Sequence, residues 1–196
     1  MNSVGPYVFK QADSADEVEQ IHALNYRTFV REIPQHADTG DGRLVDKFHD
    51  KNRYFVALRD GRVVGMLAVH DQPPFSIDSR LPDPTLLTAP GTRPLEIRLL
   101  SVVPEERGRI VFVRLVSTLF DFVRRSGHTH LFISGIEDRL PLYQGLGFQA
   151  LGEPIGPEGA RFVPMSLSVT RLESLQARTA ELWNQRVART RGPLPS

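Results

Sequence analysis

Residues 95–112 read Leu95-Glu96-Ile97-Arg98-Leu99-Leu100-Ser101-Val102-Val103-Pro104-Glu105-Glu106-Arg107-Gly108-Arg109-Ile110-Val111-Phe112. The apolar-rich first half stops at Pro104, which predicts a strand over Leu95–Val103. Beyond it Ile110, Val113, Val116, Phe120 and Val123 recur on one helical face with Leu119 beside them, and Gly127 closes the run. A strand that feeds straight into a long helix presents free backbone N–H groups and the positive end of the helix dipole, a ready site for an anion such as a pyrophosphate. Arg107 and Arg109 add charge there, and Gly108 permits close backbone approach. The same Glu-Arg-Gly-Arg run also reads as a solvated helix cap, and spacing leaves both readings open.

Working outward toward the N-terminus, residues 71–94 hold six prolines and predict a long loop, of the kind that is either functional or disordered. Before it, Arg53–Leu58 and Arg62–Val69 are two strand signals around Asp60-Gly61, a strong hairpin mark. Leu44–Phe48 predicts a short helix. Asp13 and Ser14 cap a longer one that runs through Val18, Ile21 and Leu24 to about Phe29, and Tyr7–Lys10 predicts a strand. Toward the C-terminus the pattern predicts a strand at Leu131–Ile133, a short helix at Leu140–Gln144, a strand from Gly147-Phe148 and a last strand within Ala160–Val169. The fold class is therefore α/β in the broad sense (α+β) with a mixed sheet, one domain spanning residues 1–169. Residues 170–196 form an Arg-rich helix, with Leu172, Leu175, Thr179 and Leu182 on one side, and a tail. It either packs on the domain or leads toward a partner.

Composition narrows the function. The 196 residues suit one domain, and 40% hydrophobic with 24% charged residues is ordinary globular composition. A net charge of +1 argues against a dedicated nucleic-acid binder; 21 of the 24 basic residues are arginine, which reads first as the mark of a GC-rich bacterial genome and second as suited to planar carboxylate and phosphate recognition. The longest clean apolar run, Val63–Val69, is only strand length, so no membrane span is expected. The first residues lack the pattern of a secretory signal, which makes the cytoplasm the expected location. The absence of cysteine excludes disulfides, thiolate nucleophiles and Cys-bearing zinc sites. His128 and His130 alternate but lack a third ligand nearby, so no metal site is expected. Neither Gly-x-Ser-x-Gly nor a Walker-type loop is present, which leaves hydrolase and NTPase readings without support.

Val102–Arg109 resembles the acyl-CoA pyrophosphate loop of the Gcn5-related N-acetyltransferase (GNAT) superfamily, and Leu142-Tyr143-Gln144-Gly145-Leu146-Gly147-Phe148 resembles its Tyr-x-x-x-Gly-Phe signature. The element order also matches over roughly residues 6–169. The resemblance implies a mixed, mostly antiparallel central sheet flanked by helices. Ile110 and Phe112 depart from the loop's usual small residues and would crowd a pyrophosphate, and Ile136 stands where Asn is common. Tyr26-Arg27-Thr28-Phe29-Val30-Arg31-Glu32 is similar to the Arg-x-x-Phe segment of acyl-homoserine-lactone synthases and long-chain N-acyl amino acid synthases, GNAT-fold enzymes with degenerate pyrophosphate loops. Leu95–Leu99 looks like that branch's Glu-x-Ser-Arg strand, with Ile97 where Ser is common.

These resemblances imply an acyltransferase that moves an acyl group from a pantetheine thioester, acyl carrier protein or acyl-CoA as co-substrate, to the amine of a small molecule such as an amino acid, with no resident cofactor. Amine attack on a thioester requires a proton acceptor, stabilisation of an oxyanion and a proton for the departing thiolate. Glu96 is the candidate base, expected to need a pKa raised by partial burial. A structural Glu96–Arg98 pair on one sheet face is the other reading. Tyr143 matches the general acid, or is a buried aromatic whose hydroxyl finds a partner. The resemblance assigns the pantetheine arm to the backbone of Leu100 and Val102. It assigns the donor's phosphates to Arg107, Gly108, Arg109, Ile110, Val111 and Phe112, and substrate contacts to Arg27, Phe29 and Arg98. An acetyl-CoA-dependent N-acetyltransferase and a catalytically silent GNAT-fold binding or docking domain remain the alternatives.

Overall fold

A computed structural model describes residues 2–108, 110–157 and 161–190, with the backbone alone at 2, 179–180 and 182–190. The chain order is β1 (Asn2–Val4), β2 (Tyr7–Gln11), α1 (Ala15–Tyr26), β3 (Arg53–Arg59), β4 (Arg62–His70), β5 (Pro94–Val102), α2 (Ile110–Ser126), β6 (His130–Ile136), α3 (Leu140–Gly145), β7 (Gln149–Ala150), β8 (Phe162–Ser168) and α4 (Val169–Thr190). The strands form one eight-stranded sheet in the order β1-β2-β3-β4-β5-β6-β8-β7. Every described pairing is antiparallel except β5 with β6. This is the mixed, mostly antiparallel sheet that the sequence implied.

Alternation along the strands sends side chains to two cores. Phe55, Leu67, Val69, Leu95, Leu131 and Met165 pack with Val111, Leu115, Leu119, Phe120 and Val123 of α2 on one face. Gly65 permits this approach: a Cβ there would lie 2.9 Å from Val111 and 3.0 Å from Leu115. Truncating a buried leucine such as Leu115 to alanine costs about 2–5 kcal/mol in general. On the opposite face Tyr54, Val56, Met66 and Ala68 receive Ile21 and Leu24 of α1. Ser14 caps α1 by accepting a hydrogen bond from the Glu17 amide, as the sequence predicts.

Two local readings change. Leu44–Phe48 is not helical. The Asp46 carboxylate accepts from the Phe48 amide at 3.2 Å, and its carbonyl accepts from His49 at 2.9 Å, which folds the segment into a turn ahead of a 3-10 turn at His49–Lys51. At the N-terminus Gly5, at φ 59, and Pro6 close a tight hairpin that adds β1 to the sheet edge. The Pro-rich loop is packed: Phe75, Ile77, Leu81 and Leu87 bury against Phe132 as a small third core, around 3-10 turns at Asp78–Arg80 and Pro84–Leu87. α4 follows β8 without a break, and Leu172 is buried in the main core. The tail from 191, like the side chains of Thr179 and Leu182, lies outside the described residues.

Candidate active site

β5 and β6 run side by side only briefly. Pro94–Glu96 pair with His130–Phe132, yet β5 continues to Val102 along β4 and β6 to Ile136 along β8 without further pairing to each other. The cause lies in β5. Its register against β4 shifts, so that Met66 opposes Ser101 while Ala68 opposes Arg98, and Leu99 in the resulting bulge takes a left-handed φ of 54. A non-glycine residue held there is strained backbone of the kind that gathers at functional sites, and a bulge bends its strand.

A cavity of about 300 Å³ occupies the opening, within the range of small-molecule pockets. Its walls come from both faces of the sheet. Leu67, Val116, Leu119, Phe120, Leu146 and Phe148 belong to the α2 side, an apolar chamber. Asp46, Ser76, Arg80, Glu96, Arg98 and Ser134 form a polar chamber beneath the Pro-rich loop. Separation of β5 from β6 is what joins the two.

Glu96 is 1% exposed at the floor of the polar chamber. Its carboxylate accepts from the Ser76 amide at 2.8 Å and from the Ser76 hydroxyl, and His70 Nε2 lies 2.9 Å away, close but poorly aligned for a directed hydrogen bond. Burial pushes the Glu96 carboxyl up, but His70, the two Ser76 donors and the Arg98 charge together outweigh it and hold the carboxyl below its ordinary value. The sequence-based expectation of a raised value is thus corrected: the donors come from Ser76 and His70, 20 and 26 residues distant. His70 is itself fully buried between Phe48 and Phe75, stacked on the latter. Its Nδ1 lies 3.1 Å from the Gln72 carbonyl, which can only accept, so Nδ1 carries a proton. Nε2, at the other end of the ring, faces Glu96 Oε2.

Arg98 shares the face with Glu96 but pairs elsewhere. Its Nη atoms donate to Asp46 at 2.5 and 3.0 Å, and Nε donates to the Ser76 hydroxyl at 3.1 Å. Asp46 also accepts from Asn52, whose amide donates to the Tyr54 hydroxyl. Ser76 thus sits at the crossing of the Glu96 and Arg98 contacts.

Tyr143, on α3, lines the other side of the opening. Gly135 of β6 makes room for it, since a Cβ there would meet the Tyr143 ring at 2.8 Å. Burial raises the Tyr143 phenol above its ordinary value, with the Ile136 backbone pulling the other way, so the hydroxyl stays protonated at neutral pH. Phe29 is buried on a π-helical turn (Arg27–Glu32) closed by the Ile33 amide on the Thr28 carbonyl at 2.8 Å, and it lines the cavity. Thr28 ties that turn to β5 through Ser101. Arg27 is exposed and outside the cavity wall. Leu100 lines the cavity; the Val102 carbonyl accepts from Arg107 Nε at 2.8 Å.

The proposed phosphate loop is occupied by its own contacts. Both Arg107 Nη atoms hold Glu32, at 2.5 and 2.6 Å. Glu106 is buried and accepts from Tyr7 at 2.7 Å and Arg59 at 2.6 Å. Gly108 takes φ 71, Val111 is buried, Phe112 is half-buried and Ile110 is exposed at the first turn of α2. Arg109 lies outside the described residues. Among the described residues no cluster of three or more potential metal ligands occurs, and His128 instead contacts Asp71.

Sequence reasoning did not single out His70, Ser76 or Arg80. The alternation of β4 placed His70 on the Glu96 face, a signal that was there to use. Ser76 and Arg80 reach the site through loop packing, which no local pattern reports.

A mixed, mostly antiparallel sheet split beside a β-bulge, with Glu96 and Tyr143 lining the opening, frames the candidate site. Solved structures of GNAT-like fold resemble the chain. The CoA-dependent acyl-homoserine lactone synthase BjaI, determined with SAM and isopentyl-CoA, is 24% identical at a TM-score of 0.66, over 83% of this chain and 82% of its own. FeeM, an N-acyl amino acid synthase from uncultured soil microbes, is 15% identical at a TM-score of 0.68, over 86% and 93%. The acyl-homoserine-lactone synthase LasI is 13% identical at 0.66, over 83% and 90%. No curated protein sequence matches the chain. The profile of the family described as N-acyl amino acid synthase FeeM matches residues 20–168, and the chain belongs to that family. It is an N-acyltransferase, transferring an acyl group from a thioester to an amine. Among the described residues no helix is long and apolar enough to cross a membrane.

Proposed function

We propose that this enzyme transfers a medium or long acyl chain from acyl-CoA or acyl carrier protein to the amino group of an amino acid, in the cytoplasm. The observation that carries this reading is the two-chambered cavity: an apolar chamber on the α2 side opens through the strand split into a polar one. The chain would lie against Leu67, Val116, Leu119 and Phe148, the thioester carbonyl in the split, and the acceptor beside Glu96. Each methylene buried from water contributes about 0.8 kcal/mol, close to a factor of four in affinity, so the apolar chamber favours long donors over acetyl.

Glu96, ionised at neutral pH by its hydrogen bonds, takes a proton from the amine directly or through a water. The amine nitrogen then bonds to the thioester carbon and the carbonyl oxygen becomes an oxyanion. As the oxyanion collapses the carbon–sulfur bond breaks, and the departing thiolate takes the Tyr143 hydroxyl proton. Arg107 contributes to the donor's phosphates only by leaving Glu32.

The test is product analysis by mass spectrometry. The protein is incubated with each of acetyl-CoA, palmitoyl-CoA and palmitoyl-acyl carrier protein, against the twenty amino acids. N-palmitoyl amino acids from one or both long-chain donors are expected. Acetylation without palmitoylation would establish the acetyltransferase alternative, and no product from any donor would favour a silent domain.

A further inference from the structure

Three cations line the polar chamber, and they differ in what neutralises them. Arg98 is committed to Asp46 through both Nη atoms. Lys47 is exposed, its ammonium resting 4.8 Å from the centre of the Phe48 ring. Arg80 is half-buried and, among the described residues, has no carboxylate partner. Its Nη1 donates to the Ser76 carbonyl at 3.2 Å and to the Ser134 hydroxyl at 3.4 Å, and the guanidinium lies 5.0 Å from the centre of the Phe162 ring. Those contacts fix the plane of the group, and among the described residues Nε and Nη2 have no hydrogen-bond partner. A guanidinium edge of two parallel N–H donors matches a carboxylate bidentately. A half-buried cation without an anion is costly unless a ligand supplies one.

Ser76 links this cation to the candidate base. Its amide and hydroxyl donate to Glu96 while its carbonyl accepts from Arg80, so one residue sets both. We infer that Arg80 receives the acceptor's carboxylate while Glu96 faces its amine, so that the chamber selects an α-amino acid over a simple amine. This deepens the acyltransferase reading of the same cavity and rests on it.

The test compares wild type, Arg80→Gln and Arg80→Lys in palmitoyl transfer to L-phenylalanine, L-leucine and L-lysine, each against its decarboxylation product. Wild type is expected to prefer the amino acids. Arg80→Gln is expected to raise their KM by about 10- to 100-fold, and to change the use of the simple amines far less, by a few-fold at most through the shared Ser76, with Arg80→Lys intermediate. Equal use of amino acids and simple amines by the wild type, or equal losses for both in Arg80→Gln, would overturn the role of Arg80 while leaving the acyltransferase reading intact. A wild-type protein that acylates none of the six would overturn that reading and this inference with it.

Discussion

His70 and Asp71 are neighbours in sequence, yet each enters a different histidine–carboxylate pair, on opposite sides of the sheet. His70 meets Glu96, with side chains 0% and 1% exposed, at the floor of the cavity. Asp71 meets His128 at 3.2 Å, with 26% and 6% exposed, beside Arg53 and Phe122. The contact is alike in both, a ring Nε2 facing a carboxylate oxygen. What differs is water. Asp71 has solvent and Arg53 to stabilise it, whereas Glu96 depends wholly on His70, Ser76 and Arg98. The same pair of residue types is a surface clasp in one place and a sealed, cavity-facing device in the other.

The largest effect should fall on Glu96. Glu96→Gln keeps the shape and removes the proton acceptor, and turnover at saturating substrates should drop by about 100-fold or more; activity within a few-fold of wild type would remove Glu96 from the chemistry. His70→Phe leaves the Glu96 charge sealed without its partner, expected to cost about 3 kcal/mol, or roughly 6–12 °C in Tm. A Tm within about 2 °C of wild type would show that the sealed pair is no more demanding than the open one. Asp71→Asn should cost under about 1 kcal/mol and leave turnover unchanged.

The smallest effect is a pH dependence. Burial holds the His128 imidazole below its ordinary value, with Asp71 opposing. The unfolded chain therefore binds that proton at a higher pH, about 6.5, than the folded chain does. Its stabilising contribution is complete above that pH and fades as pH falls through the folded value. Tm measured between pH 8 and 5 should decline less steeply in His128→Asn than in wild type, and parallel curves would dismiss the assignment.

What the sequence disclosed follows the range of the interactions involved. The Asp60-Gly61 hairpin, the strand ending at Pro104 and the amphipathic α2 are encoded within a few residues, and all are present. The Tyr143 segment and Glu96 were legible as types at positions. Their environments were not: the low Glu96 carboxyl value depends on partners brought in by β4 and the Pro-rich loop, and the split sheet depends on a bulge at Leu99. Leu44–Phe48 has helical spacing, but the Asp46 side chain competes for its backbone. Arg98, expected at the substrate, is engaged by Asp46 from a segment 52 residues away.

In the proposed reaction the donor's acyl chain binds on the α2 side of one cavity running through the sheet. Val116 lines that side, half-buried on α2. The most direct measurement is kcat/KM for acyl-CoA donors from two to sixteen carbons, in wild type and Val116→Phe, with one amino acid acceptor. Wild-type efficiency is expected to rise with acyl length, and Val116→Phe to move the optimum to shorter chains while leaving the shortest donors unchanged. An acetyl donor used as well as a long one, or a Val116→Phe profile that superimposes on the wild type, would contradict that placement of the acyl chain.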